Sequence, residues 1–200
     1  MKVTIVDYGI GNLFSIRKGL ERVGASVDIV SDMRKIKSAE CLVFPGVGAF
    51  GEAMRKLGNA SDEIRESLSS GTPALGICLG MQILHECSEE SDEKGLSFIR
   101  GGVTRIDAER VPQMGWNNVR FKAGEPLFEG VDNGAQFYYA NTYTCKPEEG
   151  AILAETTYGR DTFAAALRKN SVFGVQFHPE KSSNAGLKVL ENFMRIVGGK

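Results

Sequence analysis

Gly76-Ile77-Cys78-Leu79-Gly80 decides how this chain folds, because it sets a thiol between two glycines. The apolar pair Ala74-Leu75 precedes this stretch, and Met81-Gln82-Ile83-Leu84 follows it. The spacing G-x-C-x-G between a strand and a helix is typical of a nucleophile elbow, where glycines allow a tight, strained turn. The dipole of a helix that begins at Cys78 would favour its thiolate. The same pattern also fits a buried structural cysteine on a bend.

A second motif, Gln176-Phe177-His178-Pro179-Glu180, offers a base and a carboxylate for that thiol. Apolar and polar residues alternate up to His178, which predicts a strand that ends at Pro179. Residues two apart in an extended chain point to one side, so we expect Glu180 to orient the His178 imidazole. The imidazole would in turn deprotonate Cys78, which makes Cys78, His178 and Glu180 the candidate catalytic triad.

The chain has two histidines, and His85 is the weaker candidate for the base. It comes seven residues after Cys78, two turns along the predicted helix, so its side chain should point away from the elbow. We expect His85 to be a surface or half-buried helix residue.

The loop Pro45-Gly46-Val47-Gly48 follows a predicted strand and carries two glycines. Attack of a thiolate on a carboxamide places negative charge on the former carbonyl oxygen, and backbone N–H groups must meet that charge. The N–H of Leu79, just after the nucleophile, is one expected donor. Val47 or Gly48 is the expected second donor, although the glycines could equally serve plain turn geometry.

Strand and helix patterns alternate along the first half of the chain, which favours a parallel sheet with helices on both faces. The strands predicted there are Lys2–Asp7, Val27–Val30, Cys41–Phe44 and Ala74–Ile77, and the helices are 13–23, capped by Asn12, Gly51–Leu57 and Asp62–Leu68. The second half is richer in strands, at Gly102–Ile106, Asn118–Phe121, Gln136–Ala140, Ile152–Thr157, Thr162–Arg168 and Val172–Phe177. A final helix, capped by Ser183 or Asn184, sets apolar residues such as Leu190 and Phe193 on one face.

Composition narrows the class of protein. In 200 residues, the net charge of −1 gives no footprint for nucleic acid or an anionic membrane. None of the four cysteines forms a C-x-x-C pair, so we expect no metal site, no cofactor and a reducing, cytoplasmic setting. Gly9-Ile10-Gly11 lacks the third glycine of a dinucleotide fingerprint, because Phe14 stands in its place.

The two reactive motifs resemble those of the class I (triad) glutamine amidotransferases. Further segments resemble the glutaminase subunits of imidazole glycerol phosphate synthase, an enzyme of histidine biosynthesis. These are Asp7–Leu13, Pro45–Phe50, Pro112–Asn117 and Gly174–Ser182. The resemblance runs end to end, so it implies a single domain, 1–200, with a flavodoxin-like α/β fold. That fold has a mostly parallel central sheet, flanking helices and added antiparallel strands.

The resemblance also implies how glutamine would be held. Gln82 matches the position that holds the substrate, and Glu90 matches an acidic position that meets its α-amino group. Thr142 and Tyr143 match a segment that meets its α-carboxylate, and Gly46 is a further candidate substrate contact. One departure is clear: the family usually has His-Ser-Tyr where this chain has Asn141-Thr142-Tyr143.

A partner follows from the same resemblance. Ammonia from glutamine would pass to a separate cyclase subunit, a (β/α)8 barrel, which converts PRFAR to imidazole glycerol phosphate and AICAR. Pro112–Asn117 and Lys181 are candidates for the partner side, although Met114 and Trp116 could equally be core residues. Two alternatives remain: a glutaminase subunit of another synthase, and a non-catalytic binding subunit with the same fold.

Overall fold

A computed structural model describes residues 1–148 and 150–199, with the backbone alone at residues 33, 34 and 37. The strands are β1 (Lys2–Val6), β2 (Ser26–Val30), β3 (Leu42–Phe44), β4 (Ala74–Ile77), β5 (Cys87–Ser88), β6 (Gly101–Arg105), β7 (Gln113–Asn118), β8 (Arg120–Phe121), β9 (Gln136–Asn141), β10 (Tyr143–Pro147), β11 (Ile152–Tyr158), β12 (Asp161–Lys169) and β13 (Val172–Val175). The α-helices are α1 (Leu13–Arg22), α2 (Phe50–Leu57), α3 (Ala60–Ser69), α4 (Leu79–Gln82) and α5 (Ser183–Val197). Short 3-10 helices span Met33–Ser38, Pro126–Phe128 and Pro179–Lys181.

Among the described residues, eight strands form the central sheet, in the order β2-β1-β3-β4-β13-β12-β11-β8. The strands from β2 to β13 run parallel, and β12, β11 and β8 continue the sheet in antiparallel fashion. Two smaller sheets, β10-β6-β5 and β7-β9, lie outside it. The predicted α/β class, a mostly parallel sheet with added antiparallel strands, is confirmed.

The central strands separate two apolar cores, one on each face of the sheet. Ile77 of β4 packs into the core that α1 and α5 cover, whereas Ala74 of the same strand packs into the core beneath α2 and α3. The strands β3, β4 and β13 are buried along their whole length. That burial explains why they read as apolar runs rather than as alternating patterns.

The structure departs from the predicted elements where short strands pair outside the central sheet. The strand β7, with sequence QMGWNN, was not expected because it lacks an apolar alternation. The single predicted strand Asn118–Phe121 is wrong, since Asn118 ends β7 and Arg120–Phe121 forms β8. The strand β13 ends at Val175 rather than Phe177.

One predicted helix end is confirmed, and others differ from the prediction. Asn12 caps α1 as predicted, with its Oδ1 accepting from the N–H of Ser15 at 3.2 Å. The helix α5 begins at Ser183, so Ser182 holds the N-cap position expected of Ser183 or Asn184. The helix after the elbow is a single turn, so the prediction of a helix that continues to His85 is wrong. The carbonyl of Leu84 accepts instead from backbone N–H groups further along the chain, at residues 98 and 99.

The order of the sheet brings the two reactive motifs together. The strands β4 and β13 are parallel neighbours, with Ile77 paired to Val175 at their carboxyl ends. Just beyond that pair, the N–H of Cys78 donates to the Val175 carbonyl at 2.8 Å. Ligands of open α/β sheets bind at this carboxyl edge.

Candidate active site

Cys78 lies on a strained turn, as the elbow motif predicts. Its φ is +52° and its ψ is −105°, a conformation that non-glycine residues rarely adopt. The flanking glycines allow the turn because a Cβ on Gly80 would lie 1.9 Å from the Phe44 carbonyl oxygen, and one on Gly76 would lie 2.5 Å from the Gly80 carbonyl oxygen. Strain of this kind persists where the surrounding structure holds it, and it clusters at active sites.

His178 and Glu180 pair at the end of β13. Nδ1 of His178 lies 2.9 Å from Oε1 of Glu180, and both side chains are 2% exposed. The sequence predicts this pairing in an extended strand, but Pro179 begins a 3-10 turn that folds Glu180 back onto the ring. Pro179 favours this turn, since its fixed φ suits the first position of a helical turn.

The charges around His178 favour its protonated form. Burial lowers the pKa of His178, but hydrogen bonding and charge interactions with Cys78 and Glu180 outweigh burial and raise that pKa. Glu180 occupies Nδ1, which leaves Nε2 for the sulfur. Nε2 is buried and has no hydrogen-bond partner in the described part of the chain.

The position and burial of His85 differ from the prediction. It is fully buried, and it lies in the turn after α4 rather than on a helix surface, so the expectation of a surface or half-buried helix residue is wrong. Its Nδ1 lies 3.2 Å from the Met81 carbonyl oxygen. Burial lowers the pKa of His85 to about 4. An imidazole whose pKa is held this far below its ordinary value is a weak base, so His85 is poorly suited to deprotonate the thiol of Cys78.

A small cavity of about 150 Å³ opens beside the sulfur of Cys78. Its lining includes predicted residues from five separate parts of the chain. The lining residues are Val47, Gly48, Cys78, Leu79, Gln82, Glu90, Pro112, Ala140, Asn141, Thr142 and Tyr143. Among the predicted substrate contacts, Gly46 does not line this cavity.

Gly46 packs behind the elbow instead. A Cβ on Gly46 would lie 2.4 Å from Cβ of Leu79 and 2.7 Å from the Gly80 nitrogen. The preceding Pro45 is held too, because its carbonyl accepts from the hydroxyl of buried Tyr8. This end of the loop is therefore anchored against the elbow.

The other end of the loop is less constrained. Val47 is 39% exposed, and Gly48 has a φ of +136° that side chains rarely tolerate. Ile10, in the Gly9–Gly11 turn, packs against Gly48, since a Cβ there would lie 3.2 Å from Cγ2 of Ile10. The Gly9–Gly11 turn thus supports the Val47–Gly48 end of this loop.

The carboxylate of Glu90 stands across the cavity but is tied to a helix. Its Oε2 accepts from the N–H of Phe50, the first residue of α2, at 2.7 Å. The N-terminus of α2 stabilises a negative charge at this position. Glu90 is therefore held in place rather than free in solvent.

Gln176 is a site residue that the sequence analysis missed. Its side chain is fully buried, and its Nε2 lies 3.4 Å from Sγ of Cys78. Its Oε1 accepts from Nε2 of Gln82, which also donates to the Tyr143 carbonyl at 3.0 Å. The available signal was its position two residues before His178, on the same side of an extended chain.

Asn141 shapes the cavity wall at the position where the resembled family has histidine. It is 5% exposed, and its Nδ2 donates to the Tyr143 carbonyl at 3.0 Å. Both Gln82 and Asn141 therefore donate to one backbone oxygen, which has two lone pairs for them.

A patch of exposed apolar side chains lies outside the cavity. Met114 is 68% exposed and Trp116 is 49% exposed, so the alternative that they are core residues is wrong. Lys181 places its Nζ 5.7 Å from the centre of the Tyr138 ring.

The described residues contain neither a cluster of metal ligands nor a helix that could span a membrane. Within residues 1–148 and 150–199, no three His, Cys, Asp or Glu side chains gather as metal ligands would. Over the same ranges, the helices are too short or too polar to cross a bilayer.

Comparisons with known proteins identify the family of this chain. The family model described as glutamine amidotransferase class-I matches residues 4–197. The imidazole glycerol phosphate synthase subunit HisH of Moorella thermoacetica is 44% identical over 98% of this chain and 95% of its own. The HisH subunit of Methanocaldococcus jannaschii is 43% identical over 98% of this chain and 100% of its own.

Solved structures agree on the fold. A crystal structure of a glutamine amidotransferase has a TM-score of 0.77 with 18% identity, and the match covers 98% of each chain. With the family model and both relatives spanning nearly the whole sequence, the chain belongs to the class I glutamine amidotransferases, in the group of HisH subunits of imidazole glycerol phosphate synthase.

Proposed function

We propose that this chain hydrolyses glutamine to glutamate and ammonia as the glutaminase subunit of an imidazole glycerol phosphate synthase. One observation carries the proposal. Cys78 stands on a strained elbow, and the buried His178–Glu180 pair lies at the end of the neighbouring strand, in a site that opens on a small cavity. The whole chain, 1–200, would serve as one glutamine amidotransferase domain.

The reaction would proceed in two acyl-transfer steps. The thiolate of Cys78 attacks the side-chain amide carbon of glutamine, and the His178 imidazolium gives its proton to the leaving nitrogen, which departs as ammonia. A γ-glutamyl thioester remains. His178, now neutral, removes a proton from water as that water attacks the thioester, and glutamate leaves. Glu180 keeps the ring oriented throughout.

The cavity residues would hold and polarise the substrate. The N–H groups of Leu79 and of Val47 or Gly48 would meet the oxyanion. Leu79 is the first residue of α4, so its N–H has no partner within that helix. Glu90 would receive the α-amino group, while Gln82, Thr142 and Tyr143 would position the rest of glutamine. Gly46 would act indirectly, by packing the loop against the elbow.

Ammonia would then pass to a cyclase subunit, a (β/α)8 barrel that converts PRFAR to imidazole glycerol phosphate and AICAR. The exposed Met114 and Trp116 would offer a surface for that partner. Lys181 would extend this surface, since Lys181 and Trp116 both lie beside the Tyr138 ring. A nucleophilic thiol needs a reducing compartment, which favours the cytoplasm.

The partner would also control the rate. Because the Val47–Gly48 end of the loop is less constrained than its Pro45–Gly46 end, the oxyanion site would be completed only when the cyclase docks. Appreciable turnover by the isolated chain would contradict this gating.

The experiment measures glutamate released from glutamine in three mixtures: the chain alone, the chain with the cyclase, and both with the ribonucleotide substrate. Cys78→Ala in each mixture is the blank. Activity that needs the cyclase and rises with its substrate supports the proposal. Silence in all three, with folded protein and an active cyclase, points to another synthase or to a non-catalytic subunit.

A further inference from the structure

A line of side-chain amides runs from the cavity wall to the nucleophile. Nε2 of Gln82 lies 3.0 Å from the Tyr143 carbonyl oxygen and 3.3 Å from Oε1 of Gln176. Nε2 of Gln176 lies 3.4 Å from Sγ of Cys78. Gln176 is fully buried and Gln82 is 5% exposed, so these contacts form away from bulk water.

The Tyr143 carbonyl, at the end of this line, determines which amide group donates in each of its hydrogen bonds. A backbone carbonyl only accepts, so the Gln82 atom beside Tyr143 must be the NH₂ group. The same NH₂ group meets Gln176, which must therefore present its carbonyl oxygen there. The opposite end of the Gln176 amide is then an NH₂ group, and it faces the sulfur.

We propose that Gln176 is a catalytic residue that donates a hydrogen bond from Nε2 to the thiolate of Cys78. This inference rests on the proposed glutaminase function and deepens it. A hydrogen bond to the charged form of a group favours that form, so Gln176 holds the thiol in its reactive state. Gln176 keeps both of its amide protons throughout the reaction.

The same contact serves the second half of the reaction. When the thioester breaks, the electron pair of the carbon–sulfur bond returns to the sulfur, which leaves as a thiolate. Gln176 then stabilises that leaving group as it stabilised the nucleophile. Gln82 also lines the cavity, so a substrate contact at Gln82 adjusts the amide line that ends on the sulfur.

The test follows alkylation of Cys78 by iodoacetamide across pH, which needs neither glutamine nor the cyclase. Cleavage after glutamate, which cuts at Glu86, places Cys78 and the exposed Cys87 on separate peptides for mass spectrometry. Gln176→Met removes the donor at similar length. We expect the pH midpoint of alkylation to rise, with a rate about tenfold lower at pH values well below that midpoint.

A matched control removes another buried amide. Asn192 is 2% exposed and donates to the carbonyls of Leu127 and Glu129, away from the cavity. Asn192→Leu should leave the alkylation midpoint where it is. An unchanged midpoint in folded Gln176→Met overturns the proposal, even when the chain releases glutamate normally. A raised midpoint supports it, even when glutamate release fails and the proposed function falls.

A measurement on the unaltered chain covers the case in which Gln176→Met does not fold. The side-chain amide protons of Gln176, observed by ¹⁵N-edited NMR, should shift as Cys78 ionises. Cys78→Ala should abolish that titration. If the Gln176 amide resonances do not shift as Cys78 ionises, the proposal is overturned.

Discussion

The two histidines of this chain are almost equally buried, yet their surroundings drive them in opposite directions. His85 is fully buried in the turn after α4, against the Met81 carbonyl, and burial lowers its pKa to about 4. His178 is 1% exposed at the end of β13, where Cys78 and Glu180 overcome the effect of burial and raise its pKa. Burial alone therefore does not decide the charge of an imidazole. The charges within hydrogen-bonding reach decide it.

The largest expected effect comes from substituting each histidine in turn. His178→Gln should lower kcat for glutamine hydrolysis in the complex by at least about 10⁴-fold, because both proton transfers lose their carrier. His85→Gln, the matched control, should keep kcat within about threefold if it folds. Steady-state glutamate release by the two variants checks this. If both variants lost kcat equally, the two histidines would not differ in their catalytic role.

A smaller loss is expected when the carboxylate beside His178 is neutralised. Glu180→Gln keeps the shape of the side chain but removes the charge that raises the pKa of His178. We expect kcat to fall by about 10³-fold and the alkaline limit of the pH–rate profile to move to lower pH. An unaltered profile would show that Glu180 does not set the charge of the ring.

His85 should make the fold sensitive to acid. Its pKa is lowered from 6.5 to about 4 in the folded state, so the unfolded chain binds more protons between those values. Stability is full above about pH 6.5 and falls as the pH drops toward 4, by up to about 3 kcal/mol. Urea unfolding at several pH values measures this slope.

His85→Gln provides the reference for that measurement. The variant cannot titrate at this position, while its amide can still donate to the Met81 carbonyl. Its stability should therefore change less between pH 6.5 and 4 than that of the unaltered chain. Parallel curves would mean that His85 is not held neutral by burial.

The smallest effect is a shift in the titration of His178 itself. Because Cys78 helps to raise the pKa of His178, Cys78→Ala should lower that pKa by about one unit. The chain has two histidines, so their ring C–H resonances can be followed separately by NMR. The His85 resonance should keep its titration unchanged. If the pKa of His178 stayed the same in Cys78→Ala, Glu180 alone would raise that pKa.

Local patterns predicted much of the site. The elbow at Cys78 could be predicted because its strain is relieved by glycines two residues away on either side. The contact of His178 with Glu180 joins residues two apart, so short-range geometry was enough to anticipate the pair. The turn at Pro179 that makes the contact differs from the extended chain expected.

Long-range packing hid the rest from sequence reasoning. Gln82 and Gln176 lie 94 residues apart in the chain, and nothing in either local pattern indicates that their amides meet. The burial of His85 depends on carbonyls turning toward a distant segment at residues 95–99 rather than continuing a helix. Neither feature has a periodic signal.

The sequence by itself predicted the class of fold, a candidate nucleophile and a candidate histidine–carboxylate pair, because turn strain, buried apolar runs and short-range contacts leave local patterns. Only the tertiary structure decided which of two buried histidines is charged and which amide faces the sulfur. Those outcomes depend on groups that lie 2.9 to 3.4 Å apart, just beyond the ends of the parallel neighbours β4 and β13. Electrostatics and hydrogen bonding act through such distances in space, and distance along the chain does not measure them.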